Sequence, residues 1–306
     1  VTVVPMIDYA MNQGCNIQGA GPINLRGLKN SWNSPSPDRI ASFEQFMEIF
    51  YTHWKWAISG FYNSLMHNYG ALANYCPSPL FSAFLDDTLE SGRDLTDGGA
   101  RYHFVAPMMC GITNAINSLW AIKHLVYDPA TARCSLPQLL RCLQCNWGND
   151  MIEPYYSTIE GALRRSEDAL FFQQLREAAL AVPKFGTGAD PKLTAFAGEV
   201  VANLVRVIHD GLKHPLPGIQ EAYDGLKQKY GTPERPFAFT VTPGVGTFED
   251  NVGLGMGQGA TAEGRLNGQP FAADFTATPW PDDLPLNPQA SDAFVSLRDW
   301  NLRSIC

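Results

Sequence analysis

The sequence predicts an α/β fold, and three observations carry that expectation. Apolar residues recur at helical spacing over long segments, most clearly Ile40, Phe43, Met47, Phe50, Trp54, Ala57, Ile58 and Phe61. Short runs of strand character, Arg101 to Val105 and Arg235 to Pro243, fall between such segments. Pairs of Gly, Pro and Asp mark turns at the joins. Helices alternating with a few strands point to α/β rather than to a bundle or a sandwich.

Composition narrows the function. The chain has 306 residues, 45% hydrophobic and 17% charged, enough for a sizeable core in one large domain or two. A net charge of −8 without a Lys/Arg cluster argues against a nucleic-acid partner. No apolar run reaches the length of a membrane span. Seven cysteines (Cys15, Cys76, Cys110, Cys134, Cys142, Cys145, Cys306) are an odd number without framework spacing, which favours reduced thiols and a cytoplasmic protein. Opening on Val1-Thr2-Val3-Val4, with no initiator Met and no signal-peptide pattern, the sequence reads as a piece of something longer.

Taken in order, Val1 to Ile7 is an apolar run that reads as a strand leading into a glycine-rich turn, Gly14-Cys15-Asn16-Ile17-Gln18-Gly19. Ser36-Pro37 opens a long, buried helix extending to about Tyr75. Cys76-Pro77-Ser78-Pro79 breaks it, and Leu80 to Glu90 forms a shorter helix ending near Gly92. Further helices are expected over Gly111–Val126, Leu136–Asn146, Pro154–Ser166, Ala169–Val182, Pro191–His209 and Gln220–Lys229. Gly244 to Gly264 reads as loop.

Most candidate chemistry dissolves on inspection. Cys142-Leu143-Gln144-Cys145, with Cys134 and His124 upstream, has one zinc-type pair but no second pair, and it lies in a helical pattern; no metal is expected. Gly253 to Gly259 lacks the strand, helix and acidic residue of a dinucleotide site. A loop packed closely against other backbone fits it better. There is no Gly-x-Ser-x-Gly elbow. Cys15 is left, on a turn whose preceding glycine allows a backbone closed to other residues.

Several stretches together resemble the glycyl radical enzymes, the superfamily of pyruvate formate-lyase. Ser78-Pro79-Leu80, Asp94-Leu95-Thr96-Asp97-Gly98-Gly99-Ala100-Arg101-Tyr102 and Ser118 to Tyr127 are similar to its central signature. Pro183-Lys184-Phe185-Gly186 is similar to its Pro-Lys-Tyr-Gly turn. Gly259 to Pro270 resembles its late Gly-Ala-Thr-Pro-Asp-Gly-Arg loop, with Ala262 and Glu263 replacing Pro and Asp. Gly14-Cys15 then matches the family's cysteine loop, here residues 8–21, in the right chain order.

The resemblance implies half of a ten-stranded barrel surrounded by helices, with residues 1–306 as its second half. It implies that Cys15 forms a thiyl radical that abstracts hydrogen from a small substrate in a water-poor cavity. No cofactor binds directly; the radical rests on a backbone glycine, installed by an iron–sulfur activase using S-adenosylmethionine. The implied partners are that activase, the rest of the catalytic subunit or accessory subunits, and an oligomer. The family's Arg-Val-x-Gly-Tyr motif does not occur in the sequence, so the chain reads as the second half of a subunit or as a natural truncation.

Around Cys15, the neighbours Gly14 and Asn16 disfavour the two-cysteine pyruvate formate-lyase subtype. Ile17 occupies the position where the dehydratases of the family carry a glutamate base, and it cannot move a proton. By elimination the reading leans to fumarate-adding C–C bond formation. The alternatives are a dehydratase or decarboxylase with its base elsewhere, and a non-catalytic scaffold or subunit. Asn16, Gln18 and Arg26 are the expected substrate-binding residues. Arg26 suits a carboxylate through its planar fork, and equally reads as a surface arginine on a turn.

Overall fold

Helix formation is clearest where apolar residues repeat every fourth position. Phe46, Phe50, Trp54, Ile58, Tyr62 and Met66 do so, all are buried, and they define one face of helix α2 (Phe43–Asn68). Ser42 starts it by accepting the Gln45 N–H on its hydroxyl at 3.2 Å. The helix expected from Pro37 to Tyr75 is thus divided into a 3-10 turn at Pro37–Arg39, α2, and a second 3-10 turn at Ala71–Asn74 behind Gly70 (φ +83°). The computed structural model describes residues 1–17, 27–151, 159–186, 190–246, 250–273 and 275.

The chain divides into two compact units, each assembled from separate segments. The smaller comprises Val1, Lys55–Met108 and Leu204–Gly244. It holds the end of α2, the single-turn helices α3 (Pro79–Ser82) and α4 (Thr88–Ser91), and strand β1 (His103–Val105). The end of α8 (Pro191–Lys213), α9 (Pro217–Tyr230) and strand β2 (Phe239–Val241) complete it. The strands pair in parallel, His103 with Phe239 and Val105 with Val241. Beside them Tyr69, Tyr223, Tyr230, Phe237 and Phe239 form an aromatic cluster with ring centroids 5.0–6.4 Å apart. The single helix expected over Leu80–Glu90 is broken between α3 and α4, where Asp87 adopts a left-handed conformation (φ +74°) and its carboxylate pairs with Arg101 and Arg235.

The larger unit comprises Thr2–Trp54, Met109–Asn203 and the stretch from Val245 onward. Its centre is α5 (Ile112–Ile122), every residue of which is buried. The unit also holds α1 (Pro5–Met11), which packs against α5, and α6 (Leu136–Gln144), α7 (Ile159–Ala181) and α10 (Asp250–Met256). A capping box fixes the start of α6: the Ser135 hydroxyl accepts the Gln138 N–H, and the Gln138 side chain accepts the Ser135 N–H. Cys142, in α6, and Cys145, just after it, are buried, and burial pushes the Cys142 thiol well up. Among the described residues no group of three or more His, Cys, Asp or Glu gathers as metal ligands would.

Two expectations are corrected, and a third is met only in its coarser form. Val1 to Ile7 is not a strand: Pro5 occupies the first turn of α1, and only Thr2 makes a bridge, to Cys110. Gly244 to Gly264 is not all loop, because Asp250–Met256 is helical despite Gly253 and Gly255. The half-barrel is not displayed either. Among the described residues helices dominate, and the sheet consists of β1, β2 and isolated bridges. The α/β class stands at this coarser level. Among the described residues no helix is long and apolar enough to cross a membrane.

Candidate active site at the Cys15 loop

The chain turns sharply just before Cys15, and backbone hydrogen bonds hold the turn. Helix α1 ends where the Asn12 N–H reaches Asp8 O at 2.8 Å. Gln13 (φ +53°) and Gly14 (φ +82°) then turn through the left-handed region. A Cβ on Gly14 would lie 2.1 Å from Trp32 O and 2.8 Å from Ser31 O, so the glycine is a spatial requirement. The Gly14 N–H donates to Tyr9 O, and Gly14 O accepts from Asn30 and Ser31 at 3.0 Å each. The Cys15 N–H donates to Asn12 O at 2.9 Å, and Cys15 bridges Lys29 in antiparallel fashion. With its backbone so committed, Cys15 keeps a half-buried side chain and a free thiol.

Asn16 belongs to the same frame. Its N–H donates to Leu28 O, and its carbonyl accepts from Gly27 N–H at 3.2 Å and from Asn12 Nδ2 at 2.9 Å. Gln18 and Arg26 lie outside the described residues. Ile17 is fully buried and apolar, so its side chain supplies no base beside Cys15.

Sequence reasoning missed the residues beneath the loop. His53, on α2 one residue before Trp54, is completely buried, and its Nδ1 lies 2.7 Å from Ser31 Oγ. Its ring stacks on Trp32 at 4.9 Å. Burial, reinforced by the Lys29 charge, lowers its pKa to about 4, so the imidazole is neutral at physiological pH. Lys29 Nζ itself donates to Gln13 O at 2.6 Å and Asn33 Oδ1 at 2.8 Å. Asp8 is buried on α1 and accepts from Gln258 Nε2 at 2.7 Å. Burial raises its pKa to about 7, opposed by the Gln258 bond, the Ile17 backbone N–H and the Arg265 charge. The only sequence signal for Asp8 was an acid inside an apolar run.

The late loop is ordered by its own arginine. Arg265 is buried, donates to the carbonyls of Gly259 and Gln269 at 2.6 Å each, and lies over the Phe271 ring. A Cβ on Gly255 would meet Gln269 O at 2.4 Å, which is the close backbone approach expected of this glycine run. Glu263 is buried, accepting from Asn114 Nδ2 at 2.8 Å and from the Ser118 hydroxyl. Asn114 Oδ1 in turn accepts the Ala272 N–H, and Asn117 Oδ1 accepts the Phe185 N–H. The polar residues of α5 thus bind both later motifs to the helix.

With this geometry in hand, comparison with known proteins is informative. The description of the pyruvate formate lyase-like family matches residues 1–216. The (2S)-3-sulfopropanediol dehydratase of Klebsiella oxytoca is 42% identical over 71 residues, 23% of this chain and 8% of that protein. The trans-4-hydroxy-L-proline dehydratase of Clostridioides difficile is 33% identical over 113 residues, 36% of this chain and 14% of that protein. Among solved structures, the glycerol-bound B12-independent glycerol dehydratase of Clostridium butyricum superposes with a TM-score of 0.60 at 21% identity, covering 89% of this chain and 28% of that one. A glycyl radical enzyme from Archaeoglobus fulgidus does so at 0.59 and 20% identity, with the same coverage. The chain therefore spans well under a third of the length of these relatives, and the structural likeness speaks to fold alone. The lean to fumarate addition finds no support among them, and the dehydratase alternative fits better. Matched over more than two thirds of its length, and carrying the glycine-gated cysteine loop in the expected order, the chain belongs to the pyruvate formate lyase-like family of glycyl radical enzymes.

Proposed function

We propose that the chain forms the second half of the catalytic subunit of a glycyl radical lyase of dehydratase type, with Cys15 as the residue that carries the radical to substrate. The observation that carries this reading is the Cys15 loop, whose free, half-buried thiol is held on a backbone path that only glycine at position 14 permits. In the proposed cycle the Cys15 thiyl radical takes a hydrogen atom from a substrate C–H, giving the thiol and a carbon radical. That radical loses a group and recovers the hydrogen atom from the thiol, so the sulfur is unchanged over a turnover. Small hydroxylated substrates are favoured because the relatives named above dehydrate a diol and a hydroxyproline. A glycyl radical store and its S-adenosylmethionine iron–sulfur activase belong to the same proposal.

Ile17 constrains it. With no side-chain proton carrier two residues after Cys15, the proton for the departing hydroxyl must come from another residue of the cavity. The same observation favours a second reading, a family member that has lost catalysis and serves as scaffold.

Anaerobic activation of the complete subunit, followed by electron paramagnetic resonance and product analysis with 1,2-propanediol, glycerol and trans-4-hydroxyproline, separates the two. The dehydratase reading expects a glycyl doublet and dehydrated product, and it expects Cys15→Ser to keep the doublet while losing product. A doublet with no product from any hydroxylated substrate, or no doublet at all, rejects it in favour of the scaffold.

A further inference from the structure

Gly14 stands directly behind the sulfur-bearing residue, and both of its backbone polar groups are taken. Its N–H donates to Tyr9 O at 2.8 Å, and its carbonyl accepts from the Asn30 and Ser31 N–H groups at 3.0 Å each. The Trp32 carbonyl closes another side, 2.1 Å from where a Cβ would stand. One side chain meets three of these four residues, and it is His53. Its Nδ1 lies 2.7 Å from Ser31 Oγ, its ring stacks on Trp32 at 28° between planes, and the Tyr9 ring is 5.8 Å away. All of these residues lie in the larger unit.

Burying an imidazole costs free energy unless its polar atoms are satisfied. Its neighbours along α2, Ile49, Phe50 and Trp54, are buried and apolar, and a leucine at position 53 would fill such a core without that cost. Histidine adds a polar bond to Ser31 and a flat face for Trp32. The imidazole is neutral, with one donor and one acceptor, and a serine hydroxyl plays either part, so the bond forms in either tautomer.

We propose that His53 is a positioning residue for Cys15, holding Ser31 and Trp32 against Gly14 so that the turn presents the thiol in one place. The inference rests on the assignment of Cys15 as the reacting thiol. His53 touches neither sulfur nor substrate in this role. The constraint passes from the imidazole to Ser31, from the Ser31 N–H to Gly14 O, and along one peptide to Cys15.

The test needs no radical. In the complete subunit, before activation, Cys15 alkylation by iodoacetamide is followed by peptide mass spectrometry, with hydrogen exchange read at the Gly14 and Ser31 amides. Cys142, buried in α6, reports any general opening. His53→Phe keeps a ring to stack on Trp32 and removes the bond to Ser31. It is expected to raise the Cys15 rate about threefold to tenfold, the range of one net hydrogen bond, and to speed exchange at both amides while Cys142 stays unreactive. Ser31→Ala breaks the same bond from the other side, keeps the backbone N–H, and should act alike. The double variant His53→Phe/Ser31→Ala should add little to either single change. His53→Asn, whose amide places a polar atom near the Nδ1 position, is expected to recover much of the protection lost in His53→Phe.

An unchanged Cys15 rate in His53→Phe and Ser31→Ala overturns the proposal. So does equal acceleration at Cys142, full additivity in the double variant, or an Asn variant no better protected than the Phe variant. If His53→Phe does not fold, Ser31→Ala decides by the same comparison of Cys15 with Cys142. Alkylation and exchange proceed without activation, so a subunit that never forms a glycyl doublet still shows or lacks this tie, and the two failures are distinct.

Discussion

A Cβ at position 14 would meet Trp32 O at 2.1 Å in a backbone already at φ +82°, so Gly14→Ala faces a clash with rigid carbonyls and left-handed strain together. About 2–4 kcal/mol of destabilisation is expected by urea unfolding, opposite in sign to the mild stabilisation that Gly→Ala brings at a relaxed site. Asp8 gives a prediction with a definite sign. Its pKa rises on folding from 3.8 to about 7, so between those values the folded chain keeps a proton that the unfolded chain has released. The stabilising effect of that raised pKa is complete below pH 3.8 and lost as pH climbs through about 7. Asp8→Asn removes the dependence, so its stability relative to the parent should improve from pH 4 to 7, at up to about 1.4 kcal/mol per pH unit. Parallel stability curves for the two proteins would count against a buried, proton-holding Asp8. The residues differ in how legible they were. Gly14-Cys15 is by itself an ordinary turn pair and became legible only through its order relative to the later family motifs, whereas Asp8 and His53 depend on partners 250 and 22 residues away, at Gln258 and Ser31.

At the scale of elements, legibility followed the strength of periodicity. The α2 repeat of buried residues every fourth position is visible in the sequence, and α5, α6, α8 and α9 appear within a few residues of expectation. Val1 to Ile7 misled because a short apolar run has no decisive period, and Pro5 serves equally as a first-turn residue. The Gly253 stretch misled because glycine weakens a helix by only about 1 kcal/mol per residue, which packing against Gln269 and Phe271 offsets. The Pro183-Lys184-Phe185-Gly186 turn shows what a motif can do structurally. Lys184 Nζ donates to Ala179 O and Val182 O at 2.7 Å each, closing the end of α7 with a cation where the helix dipole is negative. Lys184→Met keeps the stem and loses those bonds. A loss of about 1–3 kcal/mol is expected, with faster hydrogen exchange confined to the last turn of α7. Exchange that accelerates throughout α7 would mean that the lysine supports the whole helix.

At the scale of the molecule, what the sequence could not display is which distant segments meet. The smaller unit is built from Lys55–Met108 and Leu204–Gly244, nearly a hundred residues apart, and no local pattern announces that pairing. Its joins are long-range polar contacts and the β1–β2 ladder: Tyr62 OH to Ile208 O at 2.8 Å, Tyr230 OH to Asp97 Oδ1 at 2.8 Å, and Arg235 to Asp87 at 3.1 Å. Arg235 is the most connected of these, because its guanidinium also donates to Ala100 O just ahead of β1. Arg235→Met preserves the aliphatic stem but leaves Asp87 with Arg101 as its remaining partner, and that arginine's side chain is half exposed. A stability loss of about 1–2 kcal/mol is expected, discounted because the Asp87–Arg235 pair is partly solvated. Hydrogen exchange should accelerate at both β1 and β2, since the ladder depends on the two segments staying in register. Acceleration at β2 alone would show instead that Arg235 braces only its own strand and that the ladder is held by the aromatic cluster.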